Sequence, residues 1–332
     1  MGRVSSNGKS GLSVLEMLRR HKSHWVSTEA MQLALGFSNS AIPSHIEELR
    51  EMGHEIEGIP VRGYRLVGHP KALSSELIAY GLGTDRIGKQ VLVYDSTEST
   101  NDVAWHYVAE AGYDGLSVFA EYQRAGRGRM GRTWSAPKGS SILCSVLLQK
   151  EQQIPAGVFP LLAGLATATT MEKQSESRVH IRWPNDVILA GRKVAGTIVE
   201  SRSSVSGNAY VIGIGINCSQ REQDFQDDLR ETAISLRQVS GREIDRLSLA
   251  QELLRQLDHW ISVVKTAGTL DLHTKWMERC DDIGRRITVA SNRQTFCGRV
   301  MDVNPEKGLL LQLDSGPIKI FDGATTTVLE RS

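Results

Sequence analysis

Three arginines and three glycines alternate in Gly126-Arg-Gly-Arg-Met-Gly-Arg132, and no Asp or Glu occurs between Glu121 and Glu151. Like charges packed this closely favour an anion held among them, and the forked guanidinium groups of Arg127, Arg129 and Arg132 suit phosphate oxygens. Gly126, Gly128 and Gly131 let the backbone take positive φ and come close to such an anion. Trp134 follows with a flat face on which a base can stack. The chemistry implied is phosphate gripping. The run also satisfies G-x-G-x-x-G, but Arg132-Thr-Trp-Ser-Ala-Pro137 opens a helix poorly, and a Walker-type loop is absent.

Three further groups can act with that loop. Ser99-Thr100-Asn101 places two hydroxyls and an amide at a helix start, a donor and acceptor cluster suited to a neutral polar ligand group. Lys193 begins a strand just after the turn Ala190-Gly191, where its ammonium can reach the mouth of a sheet. In Ala209–Asn217, alternation sends Tyr210, Ile212, Ile214 and Ile216 to one face and Val211, Gly213, Gly215 and Asn217 to the other. That second face is almost bare, as expected where a flat ligand or another backbone lies close.

The elements that must position these groups follow from periodicity. Strands are expected at Val91–Tyr94, Leu116–Tyr122, Ser141–Leu148, Val187–Leu189, Val194–Val199 and Ala209–Asn217. Helices are expected from about Asp102, over Val158–Met171, and from Leu249 to Val264. Strict alternation puts Lys193 and Gly196 on opposite faces, so a twist or bulge is needed for both to meet one ligand. After Arg286, short apolar runs separated by turn residues predict a small barrel of about five strands.

The first 68 residues read differently. A helix through Leu15 and Leu18, a second from a Ser27 or Thr28 cap to Gly36, a third from a Ser40 cap through Ile42, Ile46 and Leu49, and a hairpin over 56–66 give the plan of a winged helix-turn-helix. Ser38, Asn39, Ser40, Ser44 and His45 are the candidate DNA-contacting residues of its second motif helix, with Arg62 and Arg65 on a basic wing. No Lys or Arg occurs from Ser38 to Leu49, so DNA binding is expected to be weak and dimer-dependent.

The 332 residues carry 39 basic and 38 acidic side chains, a balance that argues against a bulk polyanion binder. Four cysteines without a C-x-x-C pair indicate neither a disulfide framework nor a zinc site. With no membrane-length apolar run and no signal-peptide core, a cytoplasmic location is expected. The expected division is 1–68 winged helix, 69–88 linker, 89–275 catalytic domain and 280–332 barrel.

Taken together, Ser99-Thr-Asn101, Glu121 to Trp134, Arg182-Trp-Pro-Asn-Asp186, Arg192 to Glu200 and Gly213-Ile-Gly-Ile-Asn217 resemble the biotin protein ligases, in the bifunctional form that is also the biotin operon repressor. The resemblance spans essentially the whole chain. It implies an α+β architecture: an N-terminal winged helix-turn-helix, a central mixed-sheet biotin/lipoate-ligase-like domain and a C-terminal SH3-like β-barrel. It also implies a reaction in two steps. Biotin and ATP, with Mg2+, give biotinyl-5'-AMP, and the biotinyl group then passes to a lysine of a biotin carboxyl carrier protein, the acetyl-CoA carboxylase subunit.

By the same resemblance, Lys193 and Arg129 are the catalytic residues. Ser99, Thr100, Asn101, Gln123, Arg127, Gly128, Arg129, Lys193, Gly196 and Gly213 bind biotin. Arg129, Arg132, Trp134, Asn185, Lys193 and Asn217 bind the nucleotide, and no protein metal site is implied. The partners are operator DNA and a second copy of the chain, joined on binding biotinyl-5'-AMP as corepressor. Arg182 stands where the family usually has lysine, and Met130 at an often basic position. Two other readings compete: a ligase whose winged helix no longer binds DNA, and a ligand-sensing transcription factor without catalysis.

Overall fold

The computed structural model describes residues 6–21, 24–38, 40–175, 177–204 and 207–331. They divide into two units, Met1–Gly83 and Thr84–Ser332. In the first, α1 (Ser6–Arg20), α2 (Thr28–Leu35) and α3 (Ala41–Glu51) are followed by the hairpin β1 (Glu55–Ile59) and β2 (Gly63–Gly68) and by α4 (Ser75–Ala79). Ser27 caps α2 by accepting from Ala30 N at 3.1 Å, and Gly36 ends it in the left-handed region at φ 70°. Ser40 holds the N-cap position of α3 but makes no side-chain cap bond, because its own backbone is already helical. Val14, Leu15, Leu18, Met31, Ile42, Ile46 and Leu49 close over Ile56 and Leu66 as one buried cluster. Val26 forms an isolated antiparallel bridge to Tyr64, and the approach is tight enough that a Cβ on Gly63 would lie 2.0 Å from Val26 O.

The second unit is built on a seven-stranded sheet. Its elements in chain order are β3 (Val91–Tyr94), α5 (Thr100–His106), β4 (Ser117–Ala120), β5 (Ser141–Glu151), α6 (Val158–Ser175), β6 (His180–Arg182), β7 (Asp186–Leu189), β8 (Arg192–Ser204), β9 (Gly207–Asn217), α7 (Leu236–Ser240), α8 (Arg246–Ala267) and α9 (Leu270–Met277). The order across the sheet is β3-β4-β5-β9-β8-β7-β6, with β3 and β4 parallel and every other pair antiparallel. α6 is apolar on nearly every side and buried, which is why it reads as core. Phe159 of α6 stacks on Tyr210 of β9 at 4.4 Å, whereas Val211, the next residue, packs with Trp105 and Leu147 on the opposite face. The alternation expected for β9 therefore holds, and both faces of the strand are buried.

A five-stranded antiparallel sheet follows: β10 (Arg286–Ser291), β11 (Gln294–Asn304), β12 (Gly308–Leu313), β13 (Ile318–Phe321) and β14 (Thr326–Arg331), ordered β13-β12-β11-β10-β14. Its interior is Ile287, Val289, Val300, Val303, Leu309, Leu311 and Phe321.

A buried charge ties α8 to the end of β5, inside the large sheet. The Glu151 carboxylate, 1 % exposed, accepts from Arg86 Nη1 at 2.6 Å and from Lys265 at 2.9 Å. Burial works against its charge, but Arg86, Lys265 and the backbone N–H of Gln153 outweigh that and hold its pKa down at about 2. A depressed carboxylate pKa contributes stability above the ordinary value of 4.5 that is lost as pH falls toward 2. Glu151→Gln is therefore expected to melt roughly 5 °C lower at pH 7. The gap should close as thermal scans move below pH 3; a constant gap would contradict the assignment.

Candidate functional site

A cavity of about 410 Å³ opens where the glycine-bearing part of β9, the start of α5, the basic loop and the first turn of β8 converge. Its wall includes Ser99, Thr100, Asn101, Gln123, Arg127, Gly128, Arg129, Arg132, Trp134, Asn185, Lys193, Gly196, Gly213 and Asn217, so every ligand residue expected from sequence meets in one place. Sequence reasoning missed Asp186, the only acid among the lining residues, and Arg331 from the last strand.

The conflict between Lys193 and Gly196 is resolved by a bulge. Val187 pairs with Ala195 but Ile188 pairs with Lys193, so Val194 is an extra residue opposite the β7 ladder and the parity of β8 inverts there. A Cβ built on Gly196 would point at Lys193, 3.2 Å from its Nζ. The backbone of Lys193 is held from the other side by Thr232 O at 2.7 Å and Ile234 N at 2.9 Å. Its ammonium lies 2.5 Å from Asp186 Oδ1, with both side chains about a third exposed at 34 % and 28 %.

The bare strip on β9 is lined but not open along its length. A Cβ on Gly213 would lie 2.5 Å from Asn101 Oδ1, and one on Gly215 would lie 2.4 Å from Trp134 Cε2. The missing side chains make room for the Asn101 amide and the Trp134 indole, and a flat ligand lying on Gly215 must share or take the indole's place. The indole Nε1 is buried against the Gly215 strip without a hydrogen-bond partner among the described residues.

At the pocket base, Ser99 occupies the N-cap of α5 without a side-chain cap bond, and Gln123 Oε1 takes that role by accepting from Thr100 N at 2.7 Å. Ser145 Oγ on β5 lies 2.6 Å from both Thr100 Oγ1 and Asn101 Oδ1. Asn101 Nδ2 donates to Glu200 Oε1 at 2.9 Å. On the opposite wall, Asn217 donates to Ile234 O at 3.1 Å and accepts from Gln220, and Asn185 donates to Thr197 O while accepting from Arg129.

The three loop arginines do not converge on one point. Arg127 makes a two-pronged pair with Asp102, both bonds at 2.8 Å, and reaches Glu200 at 3.3 Å. That pair raises the Arg127 pKa and lowers that of Asp102, the direct hydrogen bond being the largest cause for each. Arg129 is half-buried and donates to Asn185 Oδ1, to Gly323 O in the turn before β14 and to Thr326 O at the start of that strand. Burial pushes its pKa down, so its charge gains from an arriving anion. Arg132 is exposed, and its hydrogen bonds to Gly128 and Arg129 are made by its backbone. Met130 and Gly131 turn the loop back at φ 54° and 73°, and Trp134 N closes it onto Gly126 O at 2.9 Å.

In the first unit, α2 and α3 form the helix-turn-helix and Ser38, Ser40, Ser44 and Arg62 are exposed. Asn39 lies outside the described residues. His45 does not face outward: it is 6 % exposed, packs on Phe37 at 5.4 Å and lies 3.6 Å from Glu48, so it serves the helix core rather than a groove. Arg65 is paired with Glu57 at 2.6 Å and stacked on Trp25 at 4.8 Å, which leaves Arg62 as the uncommitted cation of the wing among the described residues. The unanticipated pairing of Arg65 reduces the basic character expected for the hairpin.

Fold and cavity together define a class: a mixed-sheet acyl ligase domain carried behind a helix-turn-helix. The model of the biotin/lipoate A/B protein ligase family matches residues 93–217, and that of an HTH domain matches residues 12–65. The bifunctional ligase/repressor BirA of Bacillus spizizenii is 33 % identical over 312 residues, 93 % of this chain and 95 % of that protein. Its counterpart in Escherichia coli is 31 % identical over 314 residues, 94 % of this chain and 95 % of that protein. The chain belongs to this family of bifunctional biotin ligase/repressor proteins. The solved biotin protein ligase of Aquifex aeolicus, in complex with biotin and ATP, shares the fold with a TM-score of 0.64 at 23 % identity, over 74 % of this chain and 100 % of that one. No described helix is long and apolar enough to cross a membrane.

Proposed function

We propose that the chain is an ATP-dependent, AMP-forming biotin–protein ligase that joins biotin to a lysine of a biotin carboxyl carrier protein, and that it also represses a biotin operon with biotinyl-5'-AMP as corepressor. The observation that carries the ligase reading is the bulge at Val194, which turns Lys193 toward Gly196 and the cavity shared with Arg129. In the first step a biotin carboxylate oxygen attacks the α-phosphorus of MgATP, the bond to the β-phosphate breaks, and pyrophosphate leaves. Two anions must approach, so a cation between them lowers the barrier as charge develops. Lys193 is that cation, drawn from Asp186 by the stronger field of the phosphates. In the second step the acceptor amine attacks the acyl carbonyl and AMP leaves.

Ser99, Thr100, Asn101 and Gln123 take the ureido ring at the pocket base. Gly196, Gly213 and the backbone of Arg127 to Arg129 enclose it. Arg129, Arg132, Asn185 and Asn217 take the nucleotide, and Trp134 its adenine. The loop shields the reactive anhydride from water. Incubation with biotin, MgATP and a carboxyl carrier domain should give a labelled acceptor, and pyrophosphate release without label would restrict the activity to the first step.

The repressor reading rests on the helix-turn-helix and the exposed polar face of Ser38, Ser40 and Ser44. Dimerisation on biotinyl-5'-AMP would supply the second half-site contact that so few cations require. In gel shifts, operator binding is expected only with the adenylate and at low salt, and Arg62→Ala should reduce the log–log salt slope by about 1. A slope unchanged by Arg62→Ala would remove the wing from the interface.

A further inference from the structure

Arg127 is committed before any ligand arrives. Its Nη1 and Nη2 donate to the two carboxylate oxygens of Asp102 on α5, both at 2.8 Å, and Nη2 also reaches Glu200 Oε1 on β8 at 3.3 Å. Neither carboxylate lines the cavity. An anion approaching Arg127 would meet two negative charges beside one positive, so this arginine grips the protein and leaves phosphates to Arg129 and Arg132. Glu200 is itself held by Asn101 Nδ2 at 2.9 Å and Trp105 Nε1 at 2.7 Å, which keeps it with the sheet when the loop moves. The loop is a small hairpin: Arg127 bridges Thr133 as an antiparallel pair, Gly128 N donates to Arg132 O at 2.8 Å, and Trp134 N donates to Gly126 O at 2.9 Å. A bond to Arg127 therefore restrains the whole hairpin. The Arg127 and Asp102 side chains are 39 % and 45 % exposed, so water reaches the pair and it can open without stranding a buried charge.

We propose that the Arg127–Asp102 pair is a latch that holds the hairpin over the cavity equally in the empty and the filled protein, and so sets the rates at which biotin enters and biotinyl-5'-AMP leaves without setting either affinity. A contact of equal strength in both states shifts no binding equilibrium. It does raise the barrier to opening, which entry and escape must both cross. Asp102 is then a positioning residue: it touches no ligand and acts through Arg127 on the loop. Slow escape keeps the adenylate on the protein long enough to be passed to an acceptor lysine or to serve as corepressor. The inference rests on the ligase reading and adds to it what governs the lifetime of its intermediate.

Asp102→Asn keeps the shape of the side chain and removes its charge. Biotin association, followed by stopped-flow tryptophan fluorescence, and release of preformed biotinyl-5'-AMP after dilution should both accelerate by about threefold to tenfold, the effect of an exposed two-pronged ion pair. Kd for biotin should stay within about twofold of wild type. Arg127→Met should give the same paired acceleration and reads the latch from the loop side should Asp102→Asn not fold. The double variant should be no faster than the faster single one, because both substitutions remove one bond. Unchanged rates in Asp102→Asn would overturn the proposal, as would additive acceleration in the double variant. Faster release with unchanged biotin association would overturn it too, since that pattern marks an ordinary contribution to affinity. A wild-type protein that forms no biotinyl-5'-AMP would overturn the ligase reading and this inference with it.

Discussion

Lys193→Ala should abolish label transfer to a carrier domain, lowering the rate of adenylate formation by about 10²–10³-fold or more while biotin still binds. The ammonium is the one cation that the bulge presents toward the glycine strip, and its neighbour Asp186 would repel both the carboxylate and the phosphate once Lys193 is gone. Lys193→Arg should recover little, because a planar fork cannot sit between two oxyanions as a compact ammonium does. Measuring pyrophosphate release and transfer from preformed adenylate separately locates the defect. A Lys193→Ala protein that makes adenylate at the wild-type rate would refute the assignment, and would favour a sensor without catalysis.

The second large effect concerns the base of the loop. Glu121, at the end of β4, accepts from Arg246 Nη1 at 2.7 Å and from Nη2 at 3.3 Å, and both residues are under 10 % exposed. Arg246 also donates to Ser141 O, so one ion pair joins the strand before the loop, the strand after it and the start of α8. Removing one partner strands the other charge in a dry site, so Glu121→Ala is expected to cost about 3–5 kcal/mol. Glu121→Leu combined with Arg246→Met should restore much of that stability, since a hydrophobic pair avoids the desolvation penalty altogether. Denaturant titration of the single and double variants tests this, and additive losses would mean that the pair is not the unit.

The parts of the site legible in the sequence are those whose signal is local. The glycine alternation in β9 was readable because a period of two is a property of neighbours, and the loop because glycine and arginine crowd into seven residues. What a bare strip accommodates was not readable: Trp134 lies some eighty positions before Gly215 and covers it in space. The acids that answer Arg127 escaped for the same reason. The stretch from Glu121 to Glu151 has no acid between its ends, yet Asp102 and Glu200 reach Arg127 from α5 and β8. The bulge was anticipated as a necessity but not located, because a single extra residue leaves no compositional mark. His45 was misread, since a histidine one helical turn before Leu49 satisfies a polar-surface pattern and a buried-face pattern equally.

Arg129 reaches two main-chain oxygens, of Gly323 in the turn that enters β14 and of Thr326 at the first position of that strand. Main-chain atoms are common to all amino acids, so point substitutions from 323 to 326 that preserve the turn leave this anchor intact, whereas adding or deleting one residue there moves both oxygens at once. Tolerance in that turn should accordingly follow its length and not its alphabet, and a tag or linker spliced into it would be felt at the strap some two hundred positions upstream.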